Sequence, residues 1–223
     1  FHMILVHFCQ TLDKNEWEAI SHDYRGSHRN REDALLARYD RKKLKGHFNT
    51  IWLICPTFFR NDTYLEWKYA NDPEFIPLPC ALDDVEYFVQ EVIEASQEYG
   101  TYKDGNRNLL ILDDVASGHE IKCRNGGLLE AGFGSRHDGL SVVVITQQFK
   151  SVAKAWRDNQ SHFVFFYNPN KKDMDEMFES LLGHVSKEEK KEIIKTLNTV
   201  PFSRLELQLI PPPVQYEVVV PFK

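Results

Sequence analysis

Leu109-Leu110-Ile111-Leu112-Asp113-Asp114 is the stretch that decides the fold. Apolar residues without a helical period, closed by two carboxylates, read as a buried strand whose acidic end emerges at the carboxyl edge of a sheet. In open α/β sheets that edge is where ligands bind. Two adjacent carboxylates in an apolar setting are costly unless a cation or hydrogen-bond donors compensate them. The same residues also fit a solvated Asp-Asp turn that caps a following helix. Alone they leave both readings open.

Outward from this run, short apolar segments alternate with segments of helical period, the pattern of βαβ units and a mostly parallel sheet. Strands are expected at Met3 to Val6, Thr50 to Cys55, Leu109 to Leu112, Ser141 to Thr146 and His162 to Phe166. The central ones are nearly continuous Val, Ile, Leu and Phe, as expected where helices cover both sheet faces. A helix is expected from Asp84 to Tyr99, with Val85, Phe88, Val89, Val92 and Ile93 on one stripe, Asp83 and Glu86 as its capping pair and Gly100 as its terminator. Met174, Met177, Phe178, Leu181 and Leu182 mark a second helix ending at Gly183. Ser186 with Glu189 starts a third, which carries Ile193, Ile194 and Leu197. These stripes are read as core packing, not as cofactor contacts. Beyond them Arg204 to Ile210 alternates, Pro211 to Pro213 interrupts, and Tyr216 to Val220 is β-prone, which predicts a terminal hairpin or an addition to the sheet edge.

At 223 residues the chain suits a single domain over 1–223. Within it, 1–6 is a first strand, 7–48 an atypical polar segment rich in His, Arg and Asp, 50–200 the main body, and 201–223 the terminal strands. The polar segment buries little apolar surface and is not expected to hold a single conformation. Position 1 is Phe and not Met, which leaves room for a cropped N-terminus. No apolar run approaches the ~20 residues of a bilayer span, and no signal-peptide pattern is present, so an intracellular protein with no membrane partner is expected. A net charge of −6 without a basic tail argues against electrostatic coating of nucleic acid, although a ring can line its pore with a few basic residues per subunit. Cys9, Cys55, Cys80 and Cys123 form no CxxC pair, and the histidines show no metal-ligand spacing, so zinc and a disulfide framework are not expected.

The chemistry of the acidic end sharpens with the residues downstream of it. In nucleotide hydrolases the first carboxylate of such a pair helps hold Mg2+ and the next polarises the attacking water. Ser141 to Gln148 (SVVVITQQ) is a second buried strand ending in amides, and Gln147 there can orient a water or sense a γ-phosphate. Arg136 precedes that strand, and Arg157 and Asn159 lie beyond it. Either arginine can supply transition-state charge, and either fits a surface salt bridge.

Taken in order, Ile51 to Phe58 (IWLICPTF), Asn61-Asp62 with Tyr64, LLILDD, Ser135-Arg136-His137, Leu140 to Gln147 (LSVVVITQ), Arg157 with Asn159, and Phe163 to Asn170 (FVFFYNPN) form a series. From about Thr50 to Leu182 the series resembles the genome-packaging ATPases of poxviruses, other large DNA viruses and Polinton-type elements, in the FtsK/HerA branch of P-loop NTPases. The resemblance implies a RecA-like α/β fold, a mostly parallel central sheet flanked by helices. It implies ATP and Mg2+ as cofactors, assembly into a homo-oligomeric ring, and translocation of double-stranded DNA into a capsid in partnership with capsid proteins. By that resemblance Asp113 is the Mg2+-linked carboxylate, acting through water, and Asp114 the water-polarising one. Gln147 is the sensor, and Arg136 and Arg157 are the candidates for arginine finger or sensor.

One part is missing. A phosphate-binding loop needs glycines for positive φ and close backbone approach, and a lysine, directly after its strand. Phe1 to Val6 looks like that strand, yet His7 to Asn15 contains no glycine. Lys14-Asn15 is the nearest remnant of the Lys-Ser/Thr pair, making Lys14 a candidate nucleotide-binding residue, though a solvated surface lysine is the plainer reading. Gly127 and Gly132 have loop spacing, but Phe133 stands where the lysine belongs. The expectation is therefore a packaging-type ATPase with impaired hydrolysis. The alternative is a non-catalytic scaffold that keeps the fold for ring or capsid assembly. An unrelated hydrolase with an Asp-Asp metal site is a more distant third.

Overall fold

The computed structural model describes the strand path of residues 3–7 and residues 48–60, 64, 74–100, 105–115, 126–134, 137–209 and 212–220. One sheet of eight strands organises them, in the order β3-β2-β4-β5-β1-β6-β7-β8. The strands are β1 (Met3–His7), β2 (Thr50–Ile54), β3 (Phe75–Leu78), β4 (Asn108–Asp113), β5 (Leu140–Thr146), β6 (His162–Phe166), β7 (Arg204–Gln208) and β8 (Gln215–Val219). β3, β2, β4 and β5 pair in parallel. The other half, from β1 to β8, pairs antiparallel throughout.

The parallel half follows from its sequence. All six residues of β4 and all seven of β5 are buried, so both faces of these strands are mainly apolar, with Asn108, Asp113, Ser141 and Thr146 as buried polar residues near the strand ends. Alternation sends Trp52, Ile54, Leu110, Leu112, Val142 and Val144 to one core. Leu53, Cys55, Leu109, Ile111, Val143 and Ile145 go to a second core, closed by Phe48, Phe58 and Tyr64.

The helices are α1 (Val85–Glu98), α2 (Gly127–Gly134), α3 (Lys154–Arg157), α4 (Lys171–Leu181) and α5 (Lys187–Thr199). The buried apolar side chains of all of them, among the described residues, join the first core. These five helices cover that face, and on the other face the described cover is Phe48, the 3-10 turn Phe58–Arg60 and the helical residue Tyr64. α1 buries the expected stripe and ends where Gly100 turns at φ 98°. Its capping differs from expectation: Asp84 is the cap residue without a side-chain cap bond, and Glu86 instead accepts the amide of Gly127. The third expected helix starts as read, with Ser186 Oγ accepting the Glu189 amide at 3.2 Å. Asn170 Oδ1 caps α4 by accepting the Lys172 amide at 3.1 Å.

The terminal hairpin adds β7 and β8 to the sheet, with Pro212 and Pro213 in the connection. Three of these elements had no sequence expectation: β3, α2 and the short α3. β3 is a four-residue edge strand that contains Pro77, a placement open to proline only at an edge. α2 begins and ends in glycine, and a Cβ on Gly132 would come 2.5 Å from Trp156 Cδ1, so the helix packs on the indole only because that position is bare.

β1 corrects a reading of the sequence. It lies between β5 and β6, but reversed: Met3 faces Thr146 and His7 faces Val142. The chain thus leaves β1 at the amino edge of β5, opposite the edge that carries Asp113. A phosphate loop following this strand would emerge on the wrong side of the sheet, so Phe1 to Val6 is not a phosphate-loop strand in this arrangement. Lys14 and the rest of 8–47 lie outside the described residues, as do Asn61, Asp62, Ser135 and Arg136.

Candidate functional site: the carboxyl edge of β4 and β5

Asp113 ends β4 opposite Ile145 of β5, so Asp113, Asp114 and Gln147 come out at one edge of the parallel half. Asp113 is buried, Asp114 half-buried and Gln147 exposed. Asp114 has φ 56°, a left-handed conformation that Asp adopts more readily than most residues but that still stores strain.

The connection leaving β2 supplies the carboxylates' partners. Thr57 Oγ1 donates to Asp114 Oδ2 at 2.7 Å. The Tyr64 hydroxyl donates to Asp113 Oδ2. Burial first, and then the negative charge of Asp113, push the Tyr64 phenol well above its ordinary pKa, so it stays a donor. Its ring stacks on Phe58, with centroids 5.7 Å apart and planes 8° apart. Cys55 Sγ lies 3.4 Å from Thr57 Oγ1, and burial pushes its thiol up to about 12. Neither Thr57 nor Tyr64 was assigned a role from sequence, although both lie in segments that carried the resemblance. The available signal was polar residues just past an apolar strand, the same signal that marks Asp113.

The loop after β5 is held from below. Asp173 Oδ2 accepts the Phe149 amide and Asn168 Nδ2, each at 3.0 Å, and Asn168 Nδ2 also reaches the Gln147 carbonyl at 3.4 Å. Ser151 Oγ donates to the Gln148 carbonyl at 2.6 Å and therefore receives the Thr146 hydroxyl, also at 2.6 Å.

Arg157 is buried under this loop. Its Cζ sits 4.0 Å from the Phe149 ring centroid and its Nη2 lies 3.8 Å from Glu176 Oε1, while buried Nε and Nη1 have no hydrogen-bond partner among the described residues. Desolvation lowers its pKa. In this position Arg157 supports the Gln147 loop and does not project from the surface. Asn159 caps α3 by donating to the Ala155 carbonyl at 2.8 Å.

The oxygen-only set at this edge suits a hard divalent cation such as Mg2+. No cluster of three or more His, Cys, Asp or Glu is found among the described residues. The glycines at the start of α2 do not offer a phosphate cradle, because the Gly127 amide is already given to the Glu86 carboxylate, and a second anion there would be repelled. No helix among the described residues is long and apolar enough to cross a membrane.

Comparisons with known proteins agree on the architecture. The genome packaging NTPase B204 from Sulfolobus turreted icosahedral virus 2, in complex with ATP-gammaS, superimposes with a TM-score of 0.57 at 15% identity, over 83% of this chain and 88% of that one. The same protein in complex with AMPPCP gives 0.60 at 16% identity, over 86% and 92%. B204 described as the DNA-packaging ATPase from Sulfolobus turreted icosahedral virus gives 0.61 at 13% identity, over 86% and 92%. At these identities the likeness shows the fold. No curated protein sequence matches the chain. The family model described as Poxvirus A32 protein matches residues 36–210, well over half of the length, and the chain belongs to that family.

Proposed function

We propose that the chain is a genome-packaging ATPase of the FtsK/HerA type, which works on double-stranded DNA as a homo-oligomeric ring docked on capsid proteins. The observation that carries the reading is the carboxylate pair Asp113–Asp114 at the same sheet edge as Gln147. The structural neighbours support it, since B204 was solved with ATP-gammaS and with AMPPCP.

In this reading Asp113 is a Walker B carboxylate that holds Mg2+ through bound water, and the cation would supply charge neutralisation at the phosphates. Asp114 would polarise the water that attacks the γ-phosphorus. Gln147 would orient that water or report on the γ-phosphate. Arg136 is the better candidate for a finger reaching a neighbouring subunit, because Arg157 is engaged beneath Phe149. Lys14, outside the described residues, is the candidate phosphate contact, a role that requires the segment after β1 to cross from the amino edge of β5 to the Asp113 edge.

A second reading has its own observation. The chain leaves β1 at the edge away from Asp113, and the α2 amide is occupied by Glu86. A protein in this arrangement binds no phosphate through those elements and keeps the fold as a scaffold for ring or capsid assembly. Calorimetric titration of ATP with and without Mg2+ separates the two readings. The ATPase reading expects binding that strengthens with Mg2+, loses that dependence in Asp113→Ala and weakens in Lys14→Ala. Absence of binding in the wild type selects the scaffold.

A further inference from the structure

Both carboxylates of the acidic pair are gripped by hydroxyl donors from one short connection. β2 and β4 run in parallel register, with Ile54 opposite Leu112, so the chain just beyond each strand emerges side by side. Thr57 thereby reaches Asp114, 57 positions away, and Tyr64 reaches Asp113. Each carboxylate of the pair thus receives a hydroxyl from the same connection.

The hydrogen bonds at Thr57 have a fixed direction. An ionised carboxylate only accepts, so the Thr57 proton points at Asp114, and the neighbouring Cys55 S–H donates to Thr57 Oγ1. Burial keeps that thiol protonated, which preserves the direction. A Thr57 hydroxyl that accepts from sulfur while donating to carboxylate has no alternative rotor position of equal energy. Tyr64 is immobilised as well, buried and stacked on Phe58.

We propose that Thr57 and Tyr64 are positioning residues of the acidic pair. Thr57 fixes the carboxylate plane of Asp114 toward the attacking water, and Tyr64 fixes that of Asp113 toward the metal's water shell. The inference rests on the ATPase reading of the same edge. Asp114 most needs such a partner, because its left-handed backbone at φ 56° would otherwise leave the side chain unguided at the strand end.

Steady-state ATP hydrolysis by the full chain tests the assignment, with Mg2+ and ATP varied independently. Thr57→Val keeps the shape and removes the donor to Asp114 together with the acceptor of the Cys55 thiol. It is expected to lower kcat about 10- to 100-fold, the usual effect of losing a carboxylate's supporting hydrogen bond. KM for ATP should stay within about twofold, and Thr57→Ser should restore kcat to within about threefold, because the hydroxyl returns. Tyr64→Phe should raise the Mg2+ concentration needed for half-maximal rate about tenfold. With carbon-13 labelled aspartate, the Asp114 carboxyl resonance should move in Thr57→Val, and the Asp113 resonance in Tyr64→Phe. An active wild type whose rate is untouched by Thr57→Val, or not rescued by serine, overturns this assignment alone. A wild type that hydrolyses no ATP overturns it together with the ATPase reading.

Discussion

Asp113 stands opposite Ile145 where β4 and β5 end together, and this register brings Gln147 to the edge that carries the acidic pair. Neither residue moves without moving a strand buried on both faces. The site is therefore as rigid as the sheet on the β4 side. On the β5 side it depends on how Asp173 and Arg157 hold the loop.

The strained backbone of Asp114 gives the first expectation. At φ 56° a Cβ costs about 1–2 kcal/mol that glycine does not incur. Asp114→Gly should be more stable than Asp114→Ala by about 1 kcal/mol in urea denaturation. Equal stability of the two variants would show that the left-handed turn is not kept in solution.

Space decides a second. A methyl on Gly132 meets Trp156 at 2.5 Å, whereas one on Gly134 meets nothing nearer than Asp138 Oδ2 at 3.8 Å. Gly132→Ala should therefore lose about 1–3 kcal/mol through overpacking. Gly134→Ala should change stability by no more than about 0.5 kcal/mol. Thermal melts of the pair check this, and indifference of Gly132 would refute the α2–Trp156 packing.

Arg157 separates support from charge. Its Nε and Nη1 are buried without hydrogen-bond partners among the described residues, so its burial is poorly compensated there. Arg157→Met keeps the volume beneath Phe149 and should be neutral or stabilising by about 1 kcal/mol. Arg157→Ala should lose about 2 kcal/mol or more, because the loop falls into the space left. If methionine and alanine destabilise alike, the guanidinium charge holds the loop and the bulk of the side chain does not.

A pH dependence arises from His162. Burial lowers its pKa from 6.5 to about 4, so between those values the unfolded chain binds the extra proton and the folded one does not. Its contribution is complete above pH 6.5 and falls as pH drops toward 4, by at most about 1.4 kcal/mol per pH unit. Unfolding free energies across that range should decline less steeply in His162→Leu than in the wild type. Parallel declines would place the titration elsewhere.

The legible parts of the sequence are those that burial constrains most. β4 and β5 are enclosed on both faces, so their composition leaves little freedom, and the same logic exposed Asp113, Asp114 and Gln147 as polar residues ending apolar runs. An apolar run reads alike in both directions, however, and for that reason the reversal of β1 was invisible. β3 was too short and carried Pro77. α2 contradicts helix propensity, and Gly132 within it makes sense only once Trp156 is seen against that position. The Thr57–Asp114 and Tyr64–Asp113 contacts exist only because β2 pairs with β4, a fact of topology that spacing along the chain does not contain.

The most direct measurement is the rate of Mg2+-dependent ATP hydrolysis by the purified chain, with Asp114→Asn as the control. Asparagine keeps the shape, tolerates the left-handed backbone and removes only the charge that polarises water. A wild-type rate that falls about 100-fold or more in Asp114→Asn, with ATP binding retained, is what a catalytic acidic edge predicts. A wild-type rate that Asp114→Asn leaves unchanged would contradict it and place the chemistry away from this edge.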